Sequence, residues 1–239
     1  FATRKAAAVI STHLPPTHRT DMVAGTALIA LAIAFNLPYA RLAVIFDYPA
    51  ILRHPAAEVL DRFGAGGPDL IATWYAFALT ALLFVPVGMA HALAGGRVTA
   101  LPALAIAAAA TAALAGVTQA MGLLRWVMVV PELARIGDSD GFALIHAYAG
   151  VAIGEHLGMS LTALHVSLIA AIQAREGRHA LASAGAAMAA LILVGAQEGV
   201  ALALGAEGAV FGMATIAGYL ALTVWMIASG AAWTRATKP

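Results

Sequence analysis

Six long apolar runs fix what this chain can fold into. They lie near residues 22–46, 69–94, 100–130, 142–172, 180–204 and 208–233. Each is long enough to cross a bilayer, which takes about 20 helical residues. Backbone groups in lipid must satisfy one another within the segment, so continuous apolar runs of this length predict helices. Only 10% of the 239 residues are charged against 62% hydrophobic, whereas a soluble domain carries about 25% charge. The expected fold is an all-α integral membrane protein, a six-transmembrane-helix bundle formed by a single domain over residues 21–234, with the lipid bilayer as its first partner.

Composition also excludes chemistry. The chain has no cysteine, which removes disulfides, thiolate metal sites and a cysteine nucleophile. A net charge of +1 provides no broad field for nucleic acid. No Gly-x-Gly-x-x-Gly, P-loop or His-Glu-x-x-His motif occurs.

The gaps between runs carry turn residues: Gly64-Ala-Gly66-Gly67-Pro68, Gly95-Gly96, Pro131, Gly137-Asp138-Ser139-Asp140, Gly177 and Gly205. An even number of spans puts both termini on one side. Eight basic residues fall on that side: Arg4, Lys5, Arg19, Arg97, Arg175, Arg178, Arg235 and Lys238. Three fall on the other: Arg53, Arg62 and Arg135. The positive-inside rule then places both termini in the cytoplasm. Residues 1–20 read as a polar, basic N-terminal segment without the apolar core of a signal peptide. Residues 235–239 read as a cytoplasmic tail. The chain opens at Phe1 rather than Met, so it is expected to be incomplete or processed at its start. In the first outer loop, Pro55 suits a helix start and Gly64 its end. Between them Val59, Leu60 and Phe63 alternate with Glu58, Asp61 and Arg62. This predicts a short amphipathic surface helix, lying on the membrane or serving as a lid over the bundle.

The fourth run contains Gly150-Val-Ala-Ile-Gly154-Glu155-His156-Leu-Gly158. Glycine at every fourth position gives a smooth stripe for close helix packing. A glutamate and a histidine at mid-span are costly there and normally face a protein interior or a water-filled cavity. Spacing along the helices carries Arg125 and Trp126 of the third run, and Gln197 and Glu198 of the fifth, into the same outer half, with His146 near the entrance of the fourth. Arg125, Glu155, His156, Glu198, His146, Trp126 and Gln197 are therefore the candidate ligand-binding residues. Arg125 with Glu155, or with Glu198, is the expected ion pair, acting either in a site or as a buried staple. Thr111, Thr118 and Arg125, seven apart, form a polar stripe on the third helix. Arg41 sits close enough to the outer interface to snorkel.

At about 100° per residue, His146 and Glu155 point to opposite sides of an α-helix, and so do His156 and His165. One helix then cannot chelate a metal by itself, and no metal site is expected. His91 and His165 lie at similar depth on two helices, which leaves a b-type haem as a cofactor option. Each histidine also has a plain reading as a hydrogen-bonded core residue.

Three stretches carry a family resemblance: Leu124-Arg125-Trp126-Val-Met-Val-Val-Pro131-Glu-Leu-Ala134, the Gly150–Gly158 run, and Phe46-Asp47-Tyr48-Pro49. The chain resembles a bacterial family of six-span membrane proteins, the domain-of-unknown-function 4386 family. The resemblance implies a six-helix bundle in a bacterial inner membrane and implies no activity.

Three functions remain open. One is binding or transport of a small polar or anionic ligand, or of protons, through an outward-facing pocket. Another is a non-catalytic subunit or sensor, packed as a homo-oligomer or against a partner membrane subunit through its glycine-rich faces. The third is an intramembrane enzyme with Glu155 as general base beside His156 and Arg125 stabilising negative charge.

Overall fold

The computed structural model describes residues 17–235. The sequence readings for 1–16 and 236–239 therefore lie outside the described residues, and residues 17–20 open the first helix. No strand occurs among the described residues.

The long helices are α1 (Thr17–Ile45), α2 (Ala56–Leu93), α4 (Pro102–Met128), α7 (Gly158–Arg175), α8 (His179–Gly195) and α10 (Ala209–Arg235). Short helices α3 (Arg97–Ala100), α5 (Val130–Ile136), α6 (Ser139–Ile145) and α9 (Glu198–Ala203) extend or join them. A 3₁₀ turn covers Ala50–Arg53, and a π-helix of 12 residues, His146–Leu157, runs between α6 and α7. Six continuous helical stretches are long and apolar enough to cross a membrane: Asp21–Ile45, Ala56–Leu93, Pro102–Ile136, Ser139–Arg175, His179–Ala203 and Ala209–Thr234. The protein is thus a multi-pass membrane protein by length and composition.

The spans pack in chain order as a closed ring. α1 lies on α2, α2 on α4, α4 on the π-helix and α7, α7 on α8, α8 on α10, and α10 returns to α1. Both described ends of the chain stand at one end of the ring, where α1 and α10 approach so closely that a Cβ on Gly25 would come 2.7 Å from the Gly230 carbonyl oxygen. That terminal end is tied by Arg97, which is 2% exposed. Its guanidinium donates to Glu176 through Nε (2.6 Å) and Nη2 (3.0 Å) and to the His91 carbonyl through Nη1 (2.6 Å). It also lies 4.8 Å from the centre of the Trp233 ring. These bonds satisfy a cation that would otherwise be costly so far from water.

The segment between α1 and α2 differs from its sequence reading. The helix does not end at Gly64. It continues to Gly67, breaks there, and resumes after Pro68 as the second span. Gly67 has φ 59° and ψ −157°, a conformation open to glycine alone, and Pro68 fits the first turn of the new helix. Val59, Leu60 and Phe63 are at most 3% exposed. Their face is turned into the protein, against Phe46, Trp74 and Trp126, and not outward to lipid. The stacked rings of Trp74 and Trp126, 4.7 Å apart at 9°, form the centre of this aromatic cluster. The first segment therefore covers the end of the ring opposite the termini, which we call the loop end.

Candidate functional site

At that end, against the Tyr48–Arg53 stretch of the connection, is a cavity of about 490 Å³, within the size range of small-molecule sites. One wall is aromatic: Phe35 and Tyr39 of α1, Tyr48 of the connecting loop, Trp74 and Phe77 of α2, and Tyr219 of α10. Facing it are four charged side chains, Arg53, Arg125, Glu155 and Glu198.

Arg125 is 6% exposed and owes its position to a glycine. A Cβ on Gly150 would lie 2.7 Å from its Cζ, so only glycine leaves room for the guanidinium against the π-helix backbone. Nη1 donates to the Gly122 carbonyl. Nη2 donates to His146 Nδ1 at 3.1 Å, a role open only to a neutral ring. The guanidinium lies 5.0 Å from the Trp126 ring centre. Its Nε–H is buried and has no partner.

The other glycines of the stripe meet the same helix. Gly154 packs on Gly122, where a Cβ would come 3.0 Å from the partner's Cα, and a Cβ on Gly158 would come 2.7 Å from Gln119 Cγ. Steps of four along one antiparallel helix thus match steps of three along the other. The π-helix and α7 lie directly on α4.

The expected Arg125–Glu155 pair is not in ion-pair contact, though the two charges are near enough to act on each other. No cation lies within 4 Å of the Glu155 carboxylate, and no hydrogen bond reaches it among the described residues. Arg125 spends its donors on Gly122 and His146 instead. Glu155 looks into the cavity. The charge that pairs with Glu198 is Arg53, from the loop.

The π-helix also changes the angular reading. Its N–H groups reach back five residues, so the turn is wider than in an α-helix, and nine residues make about two turns. His146 and Glu155, opposed at α-helical spacing, consequently come to one side, the side of α4. Such bulges recur at functional sites.

Of the residues selected from sequence, Arg125, Trp126, Glu155 and Glu198 line the cavity. His146 reaches it only through Arg125. His156 turns away and donates to the Ala196 carbonyl at 2.8 Å. Gln197 bonds back to its own helix at the Leu193 carbonyl, 3.2 Å away. Thr111 and Thr118 also return their hydroxyls to α4, at Ala107 and Leu114. Arg41 pairs with Asp69 on the surface. His91 and His165 are buried in the terminal half, His91 beside the Trp225 and Trp233 rings and His165 donating to the Ala108 carbonyl at 2.8 Å. No group of three or more His, Asp or Glu suited to a metal occurs among the described residues.

Sequence reasoning missed Arg53, Tyr48 and the cavity roles of Phe35, Tyr39, Phe77, Gln119 and Tyr219. A signal existed for the loop: Phe46-Asp47-Tyr48-Pro49 concentrates aromatic rings where a solvated turn needs none. Burial raises the Tyr48 phenol above its ordinary pKa, and the Glu155 carboxylate pushes the same way, so Tyr48 stays a neutral donor. At the cavity wall Gln119 Nε2 donates to Thr162 Oγ1 at 2.6 Å, and the Thr162 hydroxyl donates in turn to the Gly158 carbonyl at 2.8 Å.

The family described as a domain of unknown function, DUF4386, matches residues 23–230, which takes in the whole cavity and all of the six spans but the outermost residues of the first and the last. The chain belongs to the DUF4386 family. No curated protein and no solved structure matches it. For this DUF4386 protein, the functional reading therefore rests on the cavity itself.

Proposed function

We propose that this DUF4386 protein binds a small molecule inside the membrane, in the cavity at the loop end of its bundle. The observation that carries the reading is Glu155. A carboxylate that lines a cavity with no hydrogen bond or ion-pair contact among the described residues is costly in an apolar surround, and such groups are kept where a ligand or ion uses them. Arg125 supports the same reading, because no carboxylate lies within 4 Å of its guanidinium among the described residues.

Binding, with transport as its extension, is favoured over catalysis. Glu155 and His156 point to different neighbours, so they do not act as a pair. Thr215, a hydroxyl residue on the cavity wall, is bonded to the Phe211 carbonyl and not to a base. We place the cavity on the periplasmic side, on the distribution of basic residues, with both termini cytoplasmic.

The test is thermal unfolding of the purified protein in detergent against amino acids, amines, dicarboxylates and short-chain alkylphosphocholines. A member of that panel should raise the melting temperature of the wild type and not of Glu155→Gln. If every compound leaves the wild type unmoved, or shifts both proteins alike, the cavity is not a binding site.

A further inference from the structure

We propose that the cavity takes its ligand from the lipid side, and that the ligand is a single-chain amphiphile with a zwitterionic head. This rests on the binding reading above and adds the route and the chemical class.

The route follows from the ring. α1 and α10 meet tightly near Gly25 and Gly230, and are joined further along by Asn36 Nδ2 donating to Thr223 Oγ1 at 2.9 Å and by the stacked rings of Phe35 and Tyr219 at 6.2 Å. Beyond that point, toward the loop end, no hydrogen bond or ring contact joins the two helices among the described residues. There α10 presents Met213, Ile216 and Leu220, which are 71%, 40% and 55% exposed and also line the cavity. A side chain that borders both the outer surface of a membrane span and an internal cavity marks an opening between them. Its rim is apolar, as an entrance for a hydrocarbon chain must be.

The class follows from what faces the opening. In a ring of six spans, the third and fourth stand across from the sixth and first. Arg125 and Glu155 lie on those two, so a chain entering between α1 and α10 brings its head toward them. Among the described residues no carboxylate lies within 4 Å of the Arg125 guanidinium and no cation within 4 Å of the Glu155 carboxylate, so each still has room for a contact partner. A head with both signs matches the two at once, whereas a head of one sign leaves the other group unpaired. The aromatic wall offers ring faces and edges to the chain.

Tryptophan emission reads the occupancy directly. All four tryptophans are shielded from bulk lipid: Trp74 and Trp126 are 0% exposed, Trp225 4% and Trp233 6%. Only Trp74 and Trp126 line the cavity. The protein would be reconstituted in vesicles containing a brominated lysophosphocholine, whose bromines quench on contact. Parallel vesicles would carry the same brominated chain as a free fatty acid, or a brominated two-chain phospholipid. The lysophosphocholine should quench two of the four tryptophans, well beyond the two-chain lipid. Met213→Phe combined with Ile216→Phe should narrow the opening and abolish the excess while leaving the melting temperature in place.

Quenching no greater than with the two-chain lipid would overturn the inference. Equal quenching by the fatty acid would overturn the zwitterionic head, and full quenching in the double variant the lateral route. Failure here is distinguishable from failure of the binding reading. A compound that stabilises the wild type but not Glu155→Gln, without any quenching, leaves a binding site reached from water; no stabilisation and no quenching removes both.

Discussion

The guanidinium of Arg125 lies on the backbone at Gly150, so close that a β-carbon there would sit 2.7 Å from Cζ. Gly150 is therefore the seat of the arginine as well as a point of helix contact. Gly150→Ala forces the arginine off Gly122 and His146, or pushes α4 away from the π-helix. A loss of about 1–3 kcal/mol is expected, the usual cost of overpacking. Gly64→Ala is the control, since nothing lies within 4 Å of a Cβ there and the residue is helical. It should hold or raise stability by up to about 1 kcal/mol, the helix preference of alanine over glycine. Thermal unfolding of the two variants in one detergent makes the comparison.

Glu155 and His156 are neighbours in sequence and strangers in space. Glu155→Gln should keep the fold and lose ligand-induced stabilisation, which for the wild type reaches about 2.7 kcal/mol at a hundredfold excess over Kd. His156→Ala should do the reverse. It removes the donor to the Ala196 carbonyl and costs about 1 kcal/mol of stability, with ligand response retained. Melting curves with and without the stabilising compound separate the two roles.

Two ion pairs of similar geometry should differ in worth. Arg97 is 2% exposed, and removing Glu176 leaves it buried without its carboxylate; Glu176→Ala should cost about 3 kcal/mol. The Arg135–Glu132 pair is 69% and 60% exposed in its side chains, so Glu132→Ala should leave the melting temperature close to that of the wild type. Equal losses for both would mean that Arg97 is solvated in the membrane-embedded protein.

The Arg53–Glu198 pair joins the loop to α9. Arg53→Ala leaves Glu198, only 8% exposed, without its cation. Because Arg53 itself is half exposed, the loss should be nearer about 1 kcal/mol than the full cost of a buried pair. Arg53→Leu together with Glu198→Leu should recover most of it. Limited proteolysis at the 46–55 loop gives a second readout, with cleavage faster in Arg53→Ala than in the double variant.

Orientation is open to a direct measurement, because the chain has no native cysteine. A membrane-impermeant thiol reagent should label Asp61→Cys on intact cells and Arg175→Cys only after the membrane is broken. The opposite pattern would reverse the topology drawn from the basic residues.

The number and place of the spans were readable because the bilayer is a uniform solvent. It demands a fixed length of apolar helix wherever the chain crosses, and that demand is written residue by residue in composition. The glycine stripe was readable for a similar reason, since small residues at every fourth position have one steric meaning wherever they pack. The partners of the charged residues were not. Arg125 chose Gly122 and His146 over Glu155, and Glu198 took Arg53 from a loop 145 positions away in sequence. Hydropathy places a charge at a depth but carries no information about which neighbour it turns to. His146 and Glu155 show the same limit at the scale of one helix. Residue spacing becomes an angle only once the hydrogen-bond register is known, and between His146 and Leu157, where the chain lies against α4, that register is π and not α. Sequence alone determined that this chain carries six helices able to cross a membrane, with polar groups set within them. Tertiary structure decided that Arg125, Glu155 and Glu198 share a cavity while His156 and Gln197 do not, because only the closed ring and the folded-back loop bring the first three to one place.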